Sequence, residues 1–539
     1  MSTERKLKRH KSASPTPTET WFSGIEAKRA RSSEVADDSI IIPYAAPSCD
    51  PPEHTRIKRQ MSPSLSLSAE QEPTKRARVS SSAAGNEDDN NLILPFSNLS
   101  IPATRAAKKR QISPPPPSST EDTFPETKRV HVSSSSGENV PKHDKIPTPV
   151  VPLEKPGRVF VFGTGDAGQL GLGDEIDERR KPTPVRTLDK EEIVDIVCGG
   201  LHTLAISKDG KLWSWGCNDE GALGRSGQES WPHLVENLCG IKVVKAACGD
   251  SISMALSDKG KLYCWGTFRY SRGRLGFSAT KQVQKLPVLF EPLENETIVD
   301  IAAGADHCLA LTEEGYVYSW GNNEQFQLGR NFQGCERDGL VPEKIDGLER
   351  IKAIGCGSFH SFALSSSTGD LVVWGLNNHQ QCGLPTMKAS VVDTCRSVNK
   401  PTIVTSLPKQ KDSSIKSMLG GEHHSFVRMA NGDIYAFGRA DFSQLGLETT
   451  AGADIATPTR VTGLKDIVQI DSGTYHALAV DHMGRVFTWG FGEMLALGTG
   501  TEDDVCQPYL LDSKRLDGYK VLSVAAGAQH SVILACRHQ

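Results

Sequence analysis

The strongest constraint on this 539-residue chain is internal repetition. An aromatic residue followed by glycine closes a short apolar strand at Phe162-Gly163, Trp215-Gly216, Trp265-Gly266, Trp320-Gly321, Trp374-Gly375, Phe437-Gly438 and Trp489-Gly490. The steps between these glycines are 53, 50, 55, 54, 63 and 52 residues, with the longest marking an insertion around Pro385–Asp412. Repetition on this scale identifies supersecondary units that cannot bury their faces alone and must stack on their neighbours.

Each unit follows one grammar. A strand such as Lys211–Gly216 runs into a loop ending in Leu-Gly, here Leu223-Gly224, and a Pro-containing stretch follows. An alternating strand such as Ile193–Val197 then leads to Gly-x-x-His, as in Gly199–His202, and on to the strand Thr203–Ile206. A period of two in short segments bounded by Gly, Asn and Asp is the pattern of strands and hairpins. No helical period is sustained. Seven units of about four short strands each, without room for crossover helices, predict an all-β, seven-bladed β-propeller, whose edges are short and protected. Turns such as Lys208-Asp209-Gly210 join each Gly-x-x-His strand to the next Trp-Gly strand as a hairpin within one blade. The first such strand, Arg158–Phe162, has no upstream partner, and the last, His530–Ala535, has no downstream one. Pairing of these N- and C-terminal strands is predicted to close the ring.

Composition divides the chain near residue 156. Residues 1–155 hold 19 of the 31 prolines, 3 of the 49 glycines, and 23 Lys+Arg against 19 Asp+Glu. Few apolar residues with abundant Pro and Ser predict a disordered tail over 1–155, ahead of a propeller over 156–539. The tail carries a loose triplication. Basic pairs Lys8-Arg9, Lys58-Arg59 and Lys109-Arg110 precede Ser-Pro steps at Ser14, Ser62 and Ser113. Second clusters follow at Lys28-Arg29, Lys75-Arg76 and Lys128-Arg129. Two basic clusters across a spacer read as a bipartite nuclear import signal, met by an import receptor. The same charges suit DNA phosphates in a salt-dependent way, and each phosphoserine would remove about 1.5–2 of them.

Several classes fall away. No apolar run approaches the ~18–20 residues of a membrane helix, and the start MSTERKLKRHK is no signal peptide, so no membrane partner is expected. Twelve of the 13 cysteines are scattered through the repeats without a C-x-x-C pair or zinc spacing, so they read as small buried hydrophobes and no metal is expected. Gly163-Thr-Gly165-Asp-Ala-Gly168 matches a dinucleotide-binding fingerprint, but that site needs a helix starting at the third glycine. Here Leu170-Gly171 continues the repeat, so the match is a blade loop. No nucleophile–base or paired-carboxylate constellation supports covalent catalysis.

Departures from the repeat are where one face can be adapted to a partner. The loop from the Trp-Gly glycine to the Leu-Gly glycine takes eight steps in six units and ten in the third, Gly266 to Gly276. This longer loop carries Phe268, Arg269, Tyr270, Ser271, Arg272, Gly273, Arg274 and Leu275, a concentration of aromatic and Arg side chains typical of interface anchors. The Gly-x-x-His segments also differ. Their middle pairs carry acids only at Asp250, Asp306 and Glu422, and the repeated His is assigned to His202, His307, His360, His423, His476 and His530, with Ile252 in the second unit. Recurrence makes this imidazole structural, bonded within its own blade, whereas the doubled His423-His424 stands apart.

Taken together, Trp-Gly-x-Asn, Leu-Gly and Gly-x-x-His resemble the regulator-of-chromosome-condensation repeat. Phe162–Gly171, Gly216–Arg225, Gly249–Ser251, Trp265–Arg269 with its long loop, and Gly438–Phe442 are similar to the family's founding member, a chromatin-bound guanine-nucleotide exchange factor for the Ran GTPase. The resemblance covers residues 157–536. It implies that Phe268–Leu275 form a β-wedge against the GTPase's phosphate-binding region, and that Asp250, Asp306 and His423 are exchange-critical. It further implies that Asp166, Arg330 and His530 face the GTPase. Ile252 and Tyr270-Ser271-Arg272 depart from the family pattern. No cofactor of the factor's own is implied, since nucleotide and Mg²⁺ belong to the GTPase. Expected partners are a Ran-type GTPase, histones of the nucleosome with DNA, and an import receptor, in the nucleus on chromatin. The alternative is a non-catalytic propeller scaffold docking another protein or a histone surface.

Overall fold

A computed structural model describes residues 155–331, 335–384, 397–408, 414–448 and 454–538. The tail's basic clusters and Ser-Pro steps, and most of the insertion at 385–412, lie outside the described residues. Seven four-stranded antiparallel sheets form the blades of a ring, with an eighth, two-stranded sheet attached to one of them. Blade 1 is built from both ends of the repeat region. Its strands Glu178–Pro184, Arg158–Thr164, His530–Arg537 and Tyr519–Ala526 lie in that order, with Arg158 opposite Ala535 and Gly163 opposite His530. The predicted closure is therefore present.

Blades 2 to 7 each begin with an innermost strand: Ile193–Cys198, Val243–Cys248, Ile298–Ala303, Ile351–Cys356, Ile415–Gly420 and Ile467–Ser472. The Gly-x-x-His strand, the next Trp-Gly strand and a polar outer strand follow outward. Seven hydrophobic clusters each combine side chains of two neighbouring blades. The core thus lies between blades rather than within one, which is why a single unit could not fold alone.

The repeated residues are the bolts of these interfaces. Trp215, Trp265, Trp374 and Trp489 donate their indole N–H to the carbonyls of Gln169, Ala222, Gln327 and Gln444 in the preceding loop, at 2.7–3.0 Å. The Leu-Gly glycine sits under the indole: Gly171 has φ +66°, and a Cβ there would come within 2.8 Å of Trp215. Only glycine satisfies both the left-handed backbone and the close approach.

The histidines correct one expectation, because their bonds run between blades. His202, His307, His360 and His476 place Nε2 2.7–2.8 Å from Ser253, Ser361, Ser425 and Ser531 of the following blade. Each serine hydroxyl donates its one proton to a loop carbonyl at 2.6–2.9 Å, so Nε2–H must be the donor to the serine. Burial holds these imidazoles neutral, at about 4 for His202 and about 3 for His307. Where blade 3 substitutes Ile252, the facing residue of blade 4 is Cys308 rather than Ser, and both lie in one apolar cluster. Donor and acceptor were replaced together, so Ile252 leaves no broken bond.

Candidate functional site

Blade loops and the tips of the Gly-x-x-His segments share one end of the ring. Backbone bonds link tip to tip around the channel mouth: Asp250 N–H to Ala305 O, Ala305 N–H to Ser358 O and Ser358 N–H to Gly421 O, at 2.8–3.0 Å. This rigid collar carries the candidate side chains. Beside it, the ten-step loop of blade 3 folds into the added hairpin, Phe268–Tyr270 paired with Gly273–Gly276. Gly273, at φ +114°, supplies the left-handed backbone that follows the Ser271-Arg272 turn.

Not all of the hairpin projects. Phe268 and Leu275 are fully buried, at 0% and 2% exposed, and join the cluster between blades 3 and 4. They are anchors rather than contact residues. Arg269, Ser271, Arg272 and Arg274 are exposed, with Tyr270 and Gly273 intermediate. Arg272 stacks over Tyr270 at 5.3 Å and pairs with Glu336, while Arg274 Nε bonds Glu220 at 2.7 Å. Such exposed ion pairs contribute about 0–1 kcal/mol. Stronger ties come from backbone: Arg269 N–H donates to Asp306 Oδ1 at 2.6 Å, and Ser271 N–H to Glu324 Oε2 at 2.8 Å. Each such bond is worth about 0.5–1.5 kcal/mol net. A lone two-stranded hairpin is marginal in water, so burial of its base and capping of its free edge determine its posture.

Asp250, Asp306 and Glu422 gather at the mouth. Burial and the neighbouring Glu422 carboxylate push Asp250 upward, and burial with Asp250 pushes Asp306 upward, each opposed by Arg269. Burial raises Glu422 as well, and the Tyr475 hydroxyl offsets part of this by hydrogen bonding to it. Crowding and burial disfavour the charged form of these carboxylates, so a neighbouring positive charge would favour their ionisation. Next to them lies a cavity of about 330 Å³ walled by Phe359, Phe442, Tyr475 and Phe491 and edged by Asp250, Glu422 and Arg439. Arg439 is held there by Asp441 at 2.7 and 2.8 Å and by the face of Phe442.

Three sequence assignments change. In blade 6 the residue opposite Gly438 is His424, as His202 is opposite Gly216. The repeated structural histidine is therefore His424, bonded to Ser472 at 2.8 Å, and the middle pair of that tip is Glu422-His423. His423 stands where blade 4 has Asp306. It packs near His379 and Phe359, its Nε2 lies 3.6 Å from Glu422, and burial and His379 lower it to about 3.

His530, fully buried and bonded to Thr203 at 2.9 Å, belongs to the inter-blade set and faces no solvent. Arg330 is 8% exposed and holds Ser319 O and Val341 O at 3.2 and 2.7 Å, as Arg225 holds Ser214 O and Trp231 O. It braces its loop, and recurrence of Leu-Gly-Arg in two units was the available signal. Asp166 is exposed on the blade 1 loop. Glu324, Glu220 and Glu336, which hold the hairpin, went unmarked because they lie 53 to 64 residues from their partners.

Comparison with known proteins agrees with this architecture. A family model described as "RCC1-like domain" matches residues 158–533. The human protein named "Regulator of chromosome condensation" is 35% identical, covering 77% of this chain and 95% of its own. "Guanine nucleotide exchange factor SRM1" of Saccharomyces cerevisiae is 34% identical, covering 69% and 86%. Among solved structures, that of Prp20p from Saccharomyces cerevisiae, described together with its binding properties to Gsp1p and histones, has a TM-score of 0.67 at 34% identity, covering 72% of this chain and 93% of that one. A second, of Kap60 bound to yeast RCC1 (Prp20), has a TM-score of 0.68 at 33% identity, covering 77% and 97%. The chain belongs to the family of proteins built on the RCC1-like domain.

Proposed function

We propose that this protein is a guanine-nucleotide exchange factor for a Ran-type small GTPase, acting on chromatin in the nucleus in support of nucleocytoplasmic transport and mitosis. The observation that carries the reading is the hairpin at Phe268–Gly276, which one blade of seven possesses, held beside the carboxylates of the channel mouth. Exchange makes and breaks no covalent bond. A factor that binds the nucleotide-free GTPase more tightly than the loaded one lowers nucleotide affinity by the same factor, by linkage. A pinned hairpin displaces the phosphate-binding region, and Asp250 and Asp306 compete for its cationic or Mg²⁺-linked contacts. Nucleotide and Mg²⁺ remain the GTPase's own, and the factor requires no cofactor. His423, recessed under Phe359 and His379, shapes the collar beside Glu422. The relatives support the same reading, since one is named as an exchange factor and another, Prp20p, has binding properties to Gsp1p and histones.

The tail of residues 1–155 acts separately from the ring of 156–539. Its basic clusters engage an import receptor, as the Kap60 complex of a relative suggests, and assist binding to DNA and histones. The test is to mix the protein with GDP-loaded Ran and excess GTP and to follow nucleotide release. Catalytic amounts should accelerate it. Release at the unassisted rate, with binding to Ran or histones intact, would establish the scaffold reading instead.

A further inference from the structure

The hairpin's outward strand has a free edge, and two carboxylates of blade 4 cap it at alternate residues. Asp306 takes the N–H of Arg269, and Glu324 takes the N–H of Ser271 through Oε2 and its hydroxyl through Oε1. The second acid is itself aimed. Its own N–H donates to Asn322 Oδ1 at 2.8 Å, and the buried Asn322 donates its backbone N–H to Asp306 O at 2.8 Å. The hairpin tip is thus tied through Glu324 and Asn322 to the collar residue Asp306. The third place after the loop glycine is acidic in five of the six regular loops, at Asp166, Asp219, Glu324, Asp441 and Glu493. Glu324 is the one in the blade that faces the hairpin. Ser271, its partner, is one of the three residues that set this hairpin apart from the family pattern.

We propose that Glu324 is a positioning residue for nucleotide exchange, fixing the depth and angle at which the hairpin tip meets the GTPase. The inference rests on the exchange reading. It assigns Ser271 a specific task, because a hydroxyl there adds a second bond to the same carboxylate and fixes rotation as well as distance. The flanking pairs Arg272–Glu336 and Arg274–Glu220 join long, flexible side chains rather than the backbone and steer the same loop loosely. Docking, which engages the rest of the collar, does not depend on Glu324. Insertion of the tip does.

The experiment uses the full-length protein and Ran loaded with a fluorescent GDP, with kcat and KM measured for release. Glu324→Ala should lower kcat about tenfold, equivalent to about 1.4 kcal/mol, with KM within about twofold. Ser271→Ala should lower kcat less, and the double variant should be no slower than Glu324→Ala alone. Glu324→Gln, whose amide oxygen still accepts the Ser271 N–H, should recover much of the loss. Hydrogen exchange of the segment 268–276, measured without GTPase, should speed up in Glu324→Ala while the thermal midpoint stays put. Wild-type kinetics for Glu324→Ala, additive losses in the double variant, or a change in KM alone would overturn the proposal. If the wild-type protein released no GDP, the exchange reading would fail, and hydrogen exchange would still decide whether Glu324 holds the tip.

Discussion

Replacing His307 with isoleucine should cost the ring little at neutral pH and stabilise it under mild acid, whereas alanine should be costly at pH 7. His307 is wholly buried, and its Nε2–H bonds Ser361 at 2.8 Å. Isoleucine removes one neutral hydrogen bond, worth about 1 kcal/mol net. It also removes Nδ1, which is buried without a partner, so part of that cost returns. Ile252 facing Cys308 shows that the site accepts this shape. A net loss below about 1 kcal/mol follows at pH 7. Alanine adds an unfilled space and should cost about 3 kcal/mol.

The acid response has a definite sign. Burial lowers His307 to about 3, below its ordinary 6.5, so only the unfolded chain takes up this proton between those values. The stability linked to His307 is complete above pH 6.5 and is lost as pH falls, by about 1.4 kcal/mol per unit. At pH 5 that loss reaches about 2 kcal/mol in the native protein and is absent from His307→Ile. The two stability curves should cross between pH 7 and pH 5. Urea unfolding followed by tryptophan fluorescence at both pH values reads the difference. If His307→Ile were as damaging as His307→Ala at pH 7, or its deficit persisted unchanged at pH 5, the neutral buried imidazole would be the wrong description.

Arg330→Ala should destabilise the fold by about 2 kcal/mol, because it strands the buried carbonyl of Ser319 and removes the part-buried bond to Val341 O, while GDP release per folded molecule stays near native. Thermal unfolding and release assays together check this. Asp250→Asn should slow release and leave stability at pH 8 unchanged or raised, since burial and Glu422 already disfavour its charge. The raised group depresses stability at high pH and ceases to do so as pH falls, so any gain from asparagine should shrink toward pH 5. Deleting residues 1–150 should leave release intact and impair nuclear import or chromatin retention, because the ring closes through residues 158–163 and 530–535 without the tail. Retention should also weaken with salt and with phosphomimetic changes at Ser14, Ser62 and Ser113, as salt-extraction of chromatin would show.

The ring was legible because its grammar is local. An aromatic-Gly strand, a Leu-Gly turn and a Gly-x-x-His tip each lie within a few residues, and seven copies average out the exceptions. The ring closure followed from two unpaired strands. The site was legible where the repeat is broken: the two extra residues before Gly276, and acids at Asp250 and Asp306. It was misread where a residue belongs to the repeat but looks unusual alone. His423 and His424 are adjacent, and only the pairing of His424 with Gly438 decides which one is the bolt. His530 and Arg330 matched family positions by sequence, yet burial places both side chains inside the ring. Glu324, Glu220 and Glu336, which hold the hairpin together with Asp306, were invisible because they lie 53 or more residues from their partners, beyond the reach of any pattern.

The most direct test of exchange by the hairpin is to delete Ser271 and Arg272. This restores the eight-step loop of the other six blades while keeping the buried anchors Phe268 and Leu275. Single-turnover GDP release from Ran should then fall toward the unassisted rate, with the unfolding free energy within about 1 kcal/mol of native, as for a surface change. Undiminished release by the shortened, folded protein would contradict the claim that the hairpin drives exchange.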